Sequence, residues 1–168
     1  MIKINILAID PSLNSTGYAV VNKESLLILT YGIIKNGNVD ETEKLHNIFT
    51  VLESLIKKYK IDHIVIEKEF YSRNVKTLMK LSHVHGVILL LIDKFKKPYT
   101  YYAATTIKSV VLKGIKRKDE NGKKIDTKKA VAGKVIEIYN ESQFVKPYND
   151  DVTDALAIAY CFIKKEEN

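Results

Sequence analysis

Four acidic residues carry the chemical interest of this sequence: Asp10, Glu67, Asp151 and Asp154. Asp10 ends an apolar run in "ILAIDPSLNSTGYAVV", where Pro11 favours an extended backbone at the aspartate. Glu67 comes late in a second apolar run, "IVIEKEF". Asp151 and Asp154, in "NDDVTDALAIAYC", are spaced i, i+3 and share one helix face. Carboxylates gathered at two strand tips and one helix start repel one another, so they share protons or take up a cation. An oxygen-only set without clustered thiols or imidazoles suits Mg²⁺, with Mn²⁺ as a substitute. Two such ions about 4 Å apart activate a water and stabilise the leaving oxygen of a phosphodiester. Singly, each acid also has an ordinary reading. Asp10 can start a turn, Glu67 can mark a strand emerging into water, and Asp151 and Asp154 can be first-turn helix acids.

The elements that must position these acids follow from the pattern. Residues 2–10, 16–23 and 26–35 read as three strands joined by short polar turns, hence antiparallel hairpins. Leu45, Ile48, Phe49, Leu52, Leu55 and Ile56 recur at helical spacing, after Asp40, Glu41 and Glu43 and before Lys57, Lys58 and Lys60. Residues 61–70 read as a fourth strand and about 74–94 as a helix. Residues 98–103 read as a fifth strand and "ATTIKSVVLK" as a helix. Residues 127–140, with Asp126 or Thr127 as cap, and about 150–165 read as the last two helices. Three strands followed by helix–strand alternation predict an α/β fold, one mixed five-stranded sheet with helices on both faces. The residues after Asp154 are mostly small or apolar (Ala155, Leu156, Ala157, Ile158, Ala159), so that helix can lie close against the sheet and aim its acidic first turn at the strand tips.

Bulk properties narrow the classes. The 168 residues, 46% hydrophobic and 28% charged, suit one domain with a real core, read as spanning 1–168. The single cysteine, Cys161, lies in an apolar run, excludes an internal disulfide and points to packing in a reducing compartment. The opening "MIKINILAID" has no secretory pattern, and no run of roughly 18 uninterrupted apolar residues marks a membrane span. The net charge of +7 is concentrated: residues 108–129 hold nine Lys/Arg against three acids, including Lys116, Arg117 and Lys118. Such a patch fits a polyanion, most simply nucleic acid, or a solvated basic loop.

The blocks "AIDPSLNSTGYAVV", "IVIEKEF" and "DDVTDALAIAYC" resemble, in order and spacing, the RuvC-type Holliday-junction resolvases of the ribonuclease H-like superfamily, over roughly residues 4–163. The resemblance implies a structure-selective endodeoxyribonuclease of DNA recombination and repair. It would be Mg²⁺-dependent with two ions per site, and would resolve four-way junctions by paired symmetric nicks that leave 5′-phosphate ends. It implies that Asp10, Glu67, Asp151 and Asp154 are the catalytic, metal-binding acids. Phe70 would stack on bases near the junction. Lys108 and Lys128 would engage the scissile backbone, with Lys129 a one-step alternative. The helix at 74–94 would serve homodimerisation, although its apolar run "HGVILLLI" also suits a central core helix. His83 and His85 on it read as packing or surface residues. A branch-migration motor is a further implied partner, and the cytoplasm of a bacterial or phage-infected cell the implied location.

The sequence departs from the family habit at Ser12, where glycine is usual, at Lys68, where glutamine is frequent, and in the long basic loop "KGIKRKDENGKKID". These departures bear on substrate selectivity and point to a divergent or phage-type branch. Two other readings stay open on the residues: a nuclease of the same superfamily acting on other branched DNA or on RNA, and a non-catalytic junction binder. A sugar-kinase-like ATPase would need a second phosphate loop and a longer chain.

Overall fold

Residues 4–68, 74–115, 124–143 and 150–167 are described in a computed structural model of the chain. Its strands are β1 (Asn5–Asp10), β2 (Ser15–Asn22), β3 (Ile28–Lys35), β4 (His63–Glu67) and β5 (Tyr99–Tyr102). Its helices are α1 (Glu41–Lys58), α2 (Val75–Phe95), α3 (Ala104–Val111), α4 (Thr127–Tyr139) and α5 (Asp150–Glu166), with a 3₁₀ turn at Glu141–Gln143. The strands form one sheet in the order β3-β2-β1-β4-β5. β1, β2 and β3 are antiparallel, whereas β4 and β5 run parallel to β1. The mixed sheet expected from the sequence is therefore present.

Strand alternation decides what the tips present. Leu7 and Ile9 join the core under α1 and α2, with Ile48, Leu52, Val84 and Ile88. Ile6 and Ala8 join the opposite core, with Ile107, Val131, Val135 and the apolar face of α5. By the period of two, Asp10 continues the Ile6–Ala8 face and Glu67 the Val65 face. Both acids therefore stand on the side covered by α5. The parallel pairing Ile9↔Ile66 brings the two tips level.

Local signals set the helix limits. Asp40 caps α1 by accepting from the Glu43 N–H at 2.9 Å. Asn74 caps α2 by accepting from the Thr77 N–H at 3.3 Å. Asp126, one of the two expected caps of α4, accepts from the N–H groups of Lys128 and Lys129 at 3.0 and 3.3 Å.

Several expected limits are corrected. β3 starts at Ile28 rather than 26, because Leu26 is left-handed (φ 55°) and its N–H closes a turn on the Asn22 carbonyl. β4 starts at His63 rather than 61, because the Ile61 N–H turns back to Ile56 and parallel pairing begins at Ile6↔His63. The 3₁₀ turn was not expected; its Gln143 side chain accepts from the Ile28 N–H at 2.9 Å. Cys161 is buried, in keeping with packing. His85 is buried against Tyr101, and His83 pairs with Glu41 at the surface.

Candidate active site

Asp10, Glu67 and Asp154 line one cleft of about 260 Å³, together with Lys108, Lys128, Ala104, Ile107, Val131 and Ala157. Each comes from a different element. β1 and β4 supply Asp10 and Glu67 at adjacent tips, and α5 lays Asp154 across them. α3 and α4 supply Lys108 and Lys128. α5 is embedded between the sheet and α3 and α4, with Ala155, Ala157 and Ala159 fully or almost fully buried. Tyr139 of α4, itself buried, donates to the Leu156 carbonyl at 3.3 Å and ties α4 to α5.

Asp151 is placed differently from its three companions. It does not line the cleft. Its Oδ2 accepts from the Ser15 hydroxyl at 2.5 Å, beside the cleft at the start of β2. Its backbone packs on Gly17, the register partner of Asp10. Ser12, the departure noted in the sequence, needs no left-handed backbone, since it is absent from the positive-φ residues. Its carbonyl accepts from the buried Thr16 hydroxyl, and its N–H donates to Thr16 Oγ1 at 3.3 Å. Thr16 thus braces the turn.

The acids are electrostatically uneasy. The pKa of Asp10 is pushed up to about 7, first by burial, then by the charges of Glu67, Asp154 and Asp151, with Lys128 opposing. Glu67 is raised by burial and by Asp154, with Lys108 opposing. Asp154 is raised chiefly by burial, against the pull of Lys128. Lys128 is held charged above its usual range by its hydrogen bond to Asp150, at 3.0 Å.

Among the described residues no three acid, thiol or imidazole groups are already drawn to metal-ligand spacing. The donor chemistry nevertheless fits a hard divalent cation. Asp10, Glu67 and Asp154 offer only carboxylate oxygen, and their pKa values are raised first by burial and then by neighbouring acids, a charge penalty that such a cation relieves.

Of the expected DNA contacts, Lys108 and Lys128 reach the cleft. Lys129 is exposed on the first turn of α4 and is not among the cleft-lining residues. Phe70, Lys116, Arg117 and Lys118 lie outside the described residues. The sequence reading missed Ser15 and Gly17. Their signal was the spacing Ser-x-Gly on one face of β2, opposite Asp10.

The sheet order, with carboxylates at the tips of β1 and β4 and on the helix across them, defines a ribonuclease H-like fold. Solved structures agree: a "T. thermophilus RuvC in complex with Holliday junction substrate" superposes with a TM-score of 0.80 at 18% identity, covering 98% of this chain and 96% of that one. The yeast mitochondrial Holliday junction resolvase Ydc2 follows at 0.66 and 12%, covering 98% and 81%. The family model described as Crossover junction endodeoxyribonuclease RuvC matches residues 6–162, so this chain belongs to that family. RuvC of Aliarcobacter butzleri is 35% identical over 158 residues, 93% of this chain and 96% of that protein. RuvC of Syntrophomonas wolfei is 31% identical over 163 residues, 95% and 88%.

Proposed function

We propose that this protein is an endodeoxyribonuclease that resolves Holliday junctions by hydrolysing phosphodiesters in the Asp10–Glu67–Asp154 cleft. The carrying observation is that these three acids, with raised pKa values, share a cleft with Lys108 and Lys128 in a chain of the RuvC family. When bound there, divalent cations supply Lewis-acid activation of water and of the leaving oxygen. We assign their hold to Asp10, Glu67 and Asp154, with Asp151 completing the set, and name Mg²⁺ as the ion, two per site. Lys108 and Lys128 would grip the phosphates flanking the cut, beside the acids. Their cations offset the repulsion between acids and incoming DNA.

The described residues build on one sheet, which supports a single nuclease domain over 1–168. A homodimer is supported by α2. It is long and apolar enough to cross a membrane by length and composition, yet only 28% of its apolar window is buried in the fold. Val75 (66% exposed), Met79 (55%), Leu89 (41%) and Leu90 (65%) remain uncovered. A second copy with the same face gives the two-fold symmetry of a junction and two cuts. The relatives are bacterial proteins, and the reading places the chain with DNA in the bacterial cytoplasm.

The test is a synthetic four-way junction with Mg²⁺, beside a fork and an RNA duplex, for wild type and Asp10→Asn. Paired symmetric nicks on the junction, lost in the variant while binding persists, are expected. Undiminished cleavage by Asp10→Asn, or RNA cut in preference to the junction, would overturn the reading.

A further inference from the structure

We infer that Ser15 is a positioning residue, which seats Asp151 beside the cleft so that this fourth acid joins the metal-holding set in one fixed orientation. The inference rests on the reading of the cleft as a divalent-metal nuclease site. Asp151 sits on a two-part seat built from one strand. Ser15 and Gly17 of β2 are two residues apart and so share a face, the face on which α5 packs. Gly17 makes room: the position of its absent Cβ lies 2.2 Å from the Asp151 carbonyl oxygen and 3.2 Å from the Asp151 Cβ. Ser15 then fixes the carboxylate, its hydroxyl donating to Oδ2 at 2.5 Å.

The arrangement divides the four acids. Asp10, Glu67 and Asp154 stand in the cleft with their charge penalised by burial. Asp151 stands outside the lining, with its charge accepted by a hydroxyl. Its field still reaches Asp10, whose pKa it helps to raise. A carboxylate at a helix start has several rotamers open to it, and the Ser15 bond favours the one seen here. Holding that one removes an ordering cost from metal binding and lessens the repulsion between Asp151 and its neighbours before the cation arrives. Groups that orient a ligand in this way carry a 10–100-fold share of metal affinity or activity. Ser15 itself begins β2, paired to Lys35 of β3, so its backbone is anchored independently of α5.

The experiment uses the full chain as wild type, Ser15→Ala, Ser15→Thr and Asp10→Asn. Mn²⁺ binding is measured by calorimetry without DNA, and the metal-free melting temperature is measured alongside. Mg²⁺-dependent cleavage of a four-way junction is then followed at saturating DNA. Ser15→Ala should melt close to wild type, bind Mn²⁺ roughly tenfold more weakly, and recover most of its cleavage rate at high Mg²⁺. Its KM for the junction should be unchanged. Ser15→Thr, which keeps the hydroxyl, should restore Mn²⁺ affinity. Wild-type Mn²⁺ affinity in Ser15→Ala would overturn the inference alone. So would a loss that Ser15→Thr shares in full, since that marks a packing effect. If wild type and Asp10→Asn bind Mn²⁺ equally, the metal reading of the cleft fails and the inference falls with it.

Discussion

The Asp151 backbone fills the space that a side chain at Gly17 would need: a Cβ on Gly17 would lie 2.2 Å from the carbonyl oxygen of Asp151 and 2.8 Å from its carbonyl carbon. The first turn of α5 therefore rests directly on the backbone of β2, next to the register pair Asp10↔Gly17. No flexible side-chain end is available to yield, because the obstacle is backbone. Gly17→Ala should push the first turn of α5 off the sheet and carry Asp151 and Asp154 away from Asp10. Overpacking of this kind costs about 1–3 kcal/mol. Urea denaturation should show that loss. Junction cleavage should fall by more than the folded fraction falls, because the acids are displaced even in folded molecules. Wild-type stability and cleavage in Gly17→Ala would show that α5 can rise without disturbing the site.

The pKa of Asp10 is raised from 3.8 to about 7, so its charge costs stability once the metal-free protein is above that pH. The sign follows from proton binding. Between the two values the folded protein holds a proton that the unfolded chain has released, so stability declines as pH rises from about 4 through 7. Below 3.8 both states are protonated and the contribution vanishes. A shift of this size corresponds to at most about 4 kcal/mol, and screening by water and by Lys128 reduces it. Asp10→Asn in EDTA should be more stable than wild type by about 1–3 kcal/mol at pH 8. At pH 4 the two should be nearly equal. Denaturation curves at pH 4, 6 and 8 check this. Added Mg²⁺ should narrow the gap at pH 8 by stabilising wild type alone.

Much of this site was legible in the chain because its determinants are local. Asp10 follows Ala8 by two and Glu67 follows Val65 by two, so period-two alternation puts both acids on one sheet face. The i, i+3 spacing of Asp151 and Asp154 marked the helix start in the same way. What escaped depends on distant partners. Ser15 bonds an acid 136 positions away, and Gln143 caps the Ile28 N–H across 115 positions; neither leaves a periodic trace. Ser12 drew notice as a departure from the family, yet its turn is held by Thr16 with an ordinary backbone, and the glycine that matters is Gly17. The left-handed Leu26 that shortens β3 is likewise a choice forced by the turn, which leucine gives no reason to expect.

Leu90, 65% exposed on α2, should report on association. An exposed leucine contributes little to the fold of its own subunit, so Leu90→Glu should leave the denaturation midpoint within about 0.5 kcal/mol when compared as monomers. On the proposed dimer face it would place two like charges near the two-fold axis. Sedimentation should move from dimer to monomer. Paired nicks should give way to single, uncoupled nicks at a given protein concentration. Lys58→Glu, on α1, makes a larger charge change away from that face and should stay dimeric.

Lys128 and Lys129 are adjacent in sequence but not in role. Both are exposed, but Lys128 lines the cleft and pairs with Asp150 at 3.0 Å, whereas Lys129 lies outside the lining. A lysine that neutralises a phosphate releases about one counterion, so its removal lowers the slope of log affinity against log salt by about one. Lys128→Ala should show that slope change. It should also lose cleavage at saturating DNA on the order of 100-fold, because a preorganised cation facing the reacting phosphate acts on the rate as well as on binding. Lys129→Ala should weaken binding at low salt at most, with the rate at saturation unchanged. Asp150→Asn removes an acid from the path of the DNA and frees Lys128, so junction binding should tighten slightly, by less than about 1 kcal/mol for an exposed pair. Salt-dependent binding and single-turnover cleavage on the three variants separate these effects. Equal rate losses in Lys128→Ala and Lys129→Ala would mean that the α4 cations act as a shared field, with no one lysine at the cut.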